Sequence, residues 1–140
     1  MIEGVTNSDA VPVLERMLQF AGARHRLIVN NIANLDTPGF RPVDVSVGAF
    51  QEQIARAIDA RRAGLGRFEP ADSNQVEFSP TGVRLHPVPV GANILFHDQN
   101  DRDLERSMQD LVENFLTFRL AADLLRSRFD LINTAIRERV

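Results

Sequence analysis

Residues 100–140 read NDRDLERSMQDLVENFLTFRLAADLLRSRFDLINTAIRERV. Within them Leu104, Met108, Leu111, Phe115, Phe118, Ala122, Leu125, Phe129, Ile132 and Ile136 follow one another at alternate steps of four and three. That rhythm lines them up on one seam of a helix, with a period near 3.5. Neither proline nor glycine breaks the run. Asn100 can cap its start, and Asp101, Asp103 and Glu105 bring negative charge to the positive end of the helix dipole, while Arg137 and Arg139 complement the other end. A helix of about 38 residues would be roughly 55 Å long, which suits a rod-like unit better than a compact domain. Val112, Leu116, Leu120, Leu124 and Leu131 widen the stripe beyond a two-helix seam, so part of it must meet other chains or stay exposed.

The other end of the chain repeats the pattern. Leu14, Leu18, Ala21, His25, Ile28, Ile32 and Leu35 form a second seam. Ser8 or Asp9 can cap this helix, and Pro12 is tolerated in its first turn. Asp36-Thr37-Pro38-Gly39 stops it: Thr37 precedes a proline, and Pro38-Gly39 suits the centre of a type II turn. The expected organisation is a mobile N-terminus over 1–9, an N-terminal helix over 10–36, a Pro/Gly-rich middle over 37–99 and a C-terminal helix over 100–140. The fold class is mainly α: an elongated, antiparallel, coiled-coil-like pair of long helices. The shorter helix would cover only about two-thirds of the longer one.

The middle has a different composition. Residues 41–100 hold Pro42, Pro70, Pro80, Pro87 and Pro89, five of the seven prolines in the chain. A short amphipathic helix is expected from Ser46 or Val47 to Ala63, burying Phe50, Ile54, Ala57 and Ile58 and ending at Gly64. Gln75–Phe78 and Val83–Leu85 flank Ser79-Pro80-Thr81-Gly82, a turn sequence that makes a small β-hairpin possible. His86-Pro87-Val88-Pro89 reads as extended or polyproline-like. An isolated chain that cannot bury both stripes is expected to be partly unfolded, with fast amide exchange in 1–9 and in most of 41–100.

Composition excludes several classes of function. At 140 residues with a net charge of −3, the chain has no electrostatic signature of a nucleic-acid or acidic-membrane partner. Arg24, Arg26, Arg41, Arg61 and Arg62 make a loose basic group without interleaved aromatics, which argues against nucleic acid. There is no cysteine, hence no disulfide, thiolate metal site or thiol nucleophile. His25, His86 and His97 stand far apart, and His25 falls on the helical seam, where an interface would satisfy it. Asp98, Asp101 and Asp103 lack the glycine and late glutamate of a calcium loop. No catalytic motif is present, and no enzyme activity, cofactor or metal is expected. The start has no secretory-signal pattern and no apolar run long enough to span a bilayer, which taken alone suggests a soluble cytoplasmic protein.

The sharpest local signal is Asn30-Asn31-Ile32-Ala33-Asn34-Leu35-Asp36-Thr37-Pro38-Gly39-Phe40. Asn30, Asn31 and Asn34 are poor helix formers at the end of a helix. Their amides can fix the register between packed helices, or they can simply bond nearby backbone at a frayed end; the residues alone divide these readings evenly. This segment resembles the signature of the bacterial flagellar axial proteins, the rod, hook and hook-junction family: an Asn-Asn-Ile-Ala-Asn core followed by Thr-Pro-Gly-Phe or Thr-Pro-Gly-Tyr. The C-terminal stretch Asp103-Leu104-Glu105, Met108, Glu113-Asn114, Phe118, Leu124-Leu125, Phe129, Ile132 and Ala135-Ile136 is similar to the family's proximal-rod members. The resemblance covers residues 14–50 and 97–138 and is weak between them. Where the family often has a Gly-Asn run, this chain reads Asp98-Gln99-Asn100-Asp101-Arg102, and Phe118 stands where a tyrosine is usual.

The resemblance implies a structural subunit of the proximal rod, polymerising by helix packing into a drive shaft and export-channel wall. It implies export by the flagellar type III apparatus without a cleaved signal, and a periplasmic place in the basal body, against the cytoplasmic expectation. The implied partners are further copies of itself, the rod proteins FlgC and FlgF, the adaptor FliE and the membrane-ring protein FliF, with no nucleic acid and no direct membrane insertion. Alternatives are another axial rod protein, FlgC-like, or a free-standing coiled-coil protein that binds helices.

Overall fold

The computed structural model describes residues 10–90 and 104–138. The described residues form three helices, α1 (Ala10–Ala33), α2 (Val47–Arg62) and α3 (Leu104–Arg137), with four short strands, β1 (Val43–Asp44), β2 (Val76–Ser79), β3 (Gly82–Leu85) and β4 (Val88–Pro89). The expected caps at Ser8, Asp9 and Asn100, the acidic residues Asp98, Asp101 and Asp103, His97, Arg139 and the N-terminus 1–9 lie outside the described residues.

α1 and α3 pack antiparallel. Arg24 of α1 approaches Asp110 at 3.6 Å, Ala21 meets Asn114, and Ala10 and Leu14 lie beside Leu124 and Arg128. Small residues sit at the contact: Ala21 and Ala121 are each only 1% exposed, and Gly22 faces the ring of Phe118. α3 outlasts α1. Its 34 residues measure about 51 Å against about 36 Å for the 24 of α1, so residues 129–138 run past Ala10.

α1 ends where its sequence stops it. The turn closes with Phe40 N–H donating to Thr37 O at 3.1 Å, and Gly39 takes φ 76°, a left-handed conformation that costs a side-chain-bearing residue energy. α2 is capped at its start by Ser46, whose hydroxyl accepts from Ala49 N–H at 3.1 Å, and at its end by Ala63, after which Gly64 takes φ 76°. The hairpin also forms, with β2 and β3 antiparallel, Val76 opposite Leu85 and Ser79 opposite Gly82. The extended segment at 86–90 does more than the sequence suggested: β4 pairs antiparallel with β1, Val43 opposite Pro89, and Val90 N–H donates to Pro42 O at 2.9 Å. Proline is tolerated there because the ribbon has only two strands and its outer edge needs no donor.

The main buried cluster lies between α1 and the middle of the chain, where the sequence had suggested fast exchange. Phe20, Val45, Phe50, Ile54 and Val76 form it, with Val13, Met17, Leu27, Phe78, Val83 and Leu85 packed around them. The rings of Phe20 and Phe50 stack with centroids 3.9 Å apart. α1 therefore serves two layers, α3 on one side and α2 with the hairpin on the other. Arg16 of α1 locks the hairpin turn by donating to Ser79 O at 2.9 Å and Gly82 O at 3.3 Å.

Candidate assembly surface

The asparagine motif folds back on its own chain. Asn31 is buried, and its amide makes two bonds to one residue: Nδ2 donates to Val43 O at 2.7 Å, and Val43 N–H donates to Oδ1 at 3.2 Å. This pairing copies a strand ladder and fastens β1 to the end of α1. Asn34 acts locally, with Nδ2 donating to Asn30 O at 2.8 Å and Oδ1 accepting from the Thr37 hydroxyl at 3.4 Å. Asn30, Ala33, Asp36, Thr37, Pro38 and Gly39 are exposed, while Ile32, Leu35 and Phe40 are half-buried.

Arg24 ties three elements together. Its Nε and Nη2 grip Asp44 of β1 at 2.9 and 2.6 Å, and Nη2 lies 3.6 Å from Asp110 of α3. Burial works against the charged guanidinium, but the hydrogen bond to Asp44 and the charges of Asp44, Asp110 and Glu113 outweigh it and raise its pKa. The arginine grouped with a basic patch in the sequence is thus an internal ion-pair node. Of the two described histidines, His25 is exposed on α1 and His86 lies 3.2 Å from Glu77 across the hairpin.

The N-terminal seam is graded. Leu14, Ala21 and Ile28 are buried, and Leu18, Ile32 and Leu35 are half-buried. The C-terminal seam divides by rows. The row facing α1 carries Leu111, Asn114, Phe118, Ala121, Leu125 and Arg128, and Asn114 is buried with Nδ2 donating to Ala21 O at 2.8 Å. Leu111 and Leu125 are half-buried on this row, and Phe118 reaches the helix contact while remaining 40% exposed. Ala122 is half-buried beside it. The remaining seam residues, Leu104, Met108, Phe115, Phe129, Ile132 and Ile136, are exposed, together with Val112, Leu116, Leu120, Leu124 and Leu131. In the sequence Asn114 stands out only through the family resemblance and Ala121 not at all, because neither is a large apolar residue; both lie at the helix contact. The step of seven between them and the Ala21-Gly22 pair opposite were the available signals.

Beside this face runs an open groove. α1 gives it a floor of Met17, Phe20 and Ala21, α2 a wall of Phe50, Ile54 and Ile58, and α3 a wall of Asp110, Glu113, Asn114 and Thr117, enclosing about 580 Å³. Among the described residues no three His, Asp or Glu side chains gather in a way that could hold a metal, and no helix is long and apolar enough to cross a membrane.

A long two-helix pair with small residues at its contact and an apolar face left open defines a helical protein suited to assembly. In sequence the chain is FlgB-like along almost its whole length. It is 28% identical to the flagellar basal body rod protein FlgB of Borrelia hermsii over 132 residues, 91% of this chain and 96% of that one. It is 25% identical to FlgB of Bacillus subtilis over 129 residues, covering 92% and 94%, and 26% identical to FlgB of Cereibacter sphaeroides, again covering 92% and 94%. No protein-family model matches the chain.

Proposed function

We propose that this chain is a structural subunit of the rod of the bacterial flagellar basal body. The observation that carries the reading is the similarity to FlgB rod proteins across more than nine-tenths of the chain. The exposed apolar residues of α3 fit it, since a subunit that adds neighbours on all sides keeps an apolar face for them. The FlgC-like and free-standing coiled-coil readings are not favoured by these relatives. The role is structural, so the chain packs and transmits torque without reacting.

The finer assignment follows from the same reading. The subunit sits in the periplasmic, proximal part of the rod, exported by the type III apparatus, with FlgC, FlgF, FliE and FliF as neighbours and a channel along the axis. The exposed seam residues, with the exposed Asn30 and the Asp36–Gly39 turn of the motif, are the surfaces through which it enters the polymer. Deleting the gene and complementing it with an epitope-tagged copy tests this. Non-motile cells without rods, restored by the tagged copy, with the tag at the membrane-proximal end of isolated basal bodies, are expected. A motile deletion strain, or a tag absent from basal bodies, would overturn it.

A further inference from the structure

We infer that residues 1–9, the stretch that leads into α1, dock in the cleft between the C-terminal end of α2 and α3 of the same chain. The inference goes beyond the rod-subunit reading and does not depend on it. The cleft encloses about 420 Å³. Leu14, Ile58, Phe68 and Leu124 make it apolar, and Arg61, Arg62 and Arg128 stand around them. Such a site suits a segment that brings apolar and acidic side chains together. Ala10 itself lines the cleft, so the residues before it start at the cleft's edge. They read Met-Ile-Glu-Gly-Val-Thr-Asn-Ser-Asp, with Ile2 and Val5 apolar and Glu3 and Asp9 the only charged side chains. The length is sufficient. Val5 lies five residues before Ala10, a reach of up to about 17 Å when extended, and Ile2 eight residues, up to about 27 Å. Ile58 to Arg62 on one wall and Leu124 to Arg128 on the other each span only about 6 Å.

Charge favours this cleft over the larger groove beside it. Arg61 already has an interaction of its own, so Arg62 and Arg128 carry the match to Glu3 and Asp9. Of the acidic side chains next to the lining residues in sequence, Asp123 lies 3.9 Å from Arg119. Asp59, Glu69 and Asp130 are exposed outside the lining, with Arg67 and Arg126 exposed among them. The larger groove shares Val13 and Ile58 with the cleft, but Asp110 and Glu113 stand on its wall. Arg24, which also lines it, is gripped by Asp44. An acidic segment is repelled there. Tethering selects the occupant: a segment attached at the cleft's edge has an effective concentration on the order of millimolar, so it outcompetes the same segment of an untethered second copy at micromolar concentration. Polarity alone suggests a mobile N-terminus, and the cleft supplies the partner that polarity does not show.

The natural chain contains neither tryptophan nor tyrosine, so one introduced tryptophan reports without background. The purified full chain is measured as Val5→Trp, with Ile2→Trp as an independent probe should the first ring be too large for the cleft. The expected result, from at least one of them, is emission at shorter wavelength and weaker acrylamide quenching in buffer than in urea, unchanged on dilution. Adding Arg62→Glu/Arg128→Glu should return both readings to their urea values, and Glu3→Arg on top of that pair should restore part of the shift. Arg126→Glu, the same charge reversal on α3 at an exposed position outside the cleft, should leave the probe unmoved. Urea-like emission from both probes in buffer overturns the docking. So does a shift that survives the double reversal, that Arg126→Glu abolishes equally, or that Glu3→Arg fails to restore, since burial would then owe nothing to the cleft's arginines. A shift lost on dilution overturns the choice of the chain's own segment and gives the cleft to a second copy. No outcome involves basal bodies, so failure of the docking leaves the rod reading standing.

Discussion

Asn31 shows how one side chain can stand in for a strand. An asparagine near a helix end costs helix propensity, by up to about 0.7 kcal/mol relative to alanine. Here its amide carries both a donor and an acceptor to the Val43 backbone in a buried position, and leaving those groups unpaired would cost about 1–3 kcal/mol. The second effect wins. Asn31→Ala should therefore destabilise the isolated chain by about 1–2 kcal/mol, the net of the two. Asn34→Ala, which loses only exposed local bonds, should stay within about 0.5 kcal/mol of the parent. Urea denaturation of the purified monomer separates the two, and equal stability in both variants would show that the clamp contributes nothing. The type of chemistry was legible in the sequence, since three asparagines before a Pro-Gly turn had to bond something. The partner was not: Val43 lies twelve residues on, beyond a turn whose path sets where the strand returns. Arg24 was illegible for a related reason. Its bidentate partner Asp44 and its neighbour Asp110 are brought to it by tertiary packing.

Among the elements, α2, the turn at Pro38-Gly39 and the β2–β3 hairpin follow local chemistry and could be read from caps, glycines and alternation. The β1–β4 ribbon could not, because two-residue strands carry no period and pair across some forty-five residues of chain. α3 is the instructive case. Apolar periodicity found the helix and its wide stripe, but it could not say which row faces α1. The chain places Asn114 and Ala121 there: the Ala21 carbonyl accepts from the Asn114 amide, and Ala121 is buried to 1% exposure. The two rows should answer differently to substitution. Ala121→Leu forces added volume into a position 1% exposed, and overpacking of that kind typically costs about 1–3 kcal/mol. Phe115→Ser removes a ring that is 50% exposed, and should leave monomer stability within about 0.5 kcal/mol while abolishing rod assembly. Denaturation midpoints beside basal-body recovery measure both. Normal rods from Phe115→Ser would mean the exposed row has no neighbour in the polymer.

At the scale of the whole molecule, the chain divides its apolar surface between a finished core and an unfinished one. The finished part lies where α1 meets α2 and the hairpin, around Phe20, Phe50 and Val76. The unfinished part is the outer face of α3 and its overhang. Local opening costs most where buried apolar contacts are dense and least where backbone hydrogen bonds stand exposed to water. An isolated helical end of ten or so residues is marginal without packing, whatever its sequence. Hydrogen exchange of the monomer should thus be slowest in the central turns of α1 and α2 and in β2, and fastest at residues 129–138. In assembled rods the order should change at one place above all: residues 129–138 should become protected, while the α1–α2–hairpin core, already closed, should change little. Uniformly fast exchange through 41–90 in the monomer would show that this core forms only in the polymer. Fast exchange at 129–138 in intact rods would show that the overhang finds no neighbour, and the apolar end of α3 would then need another explanation.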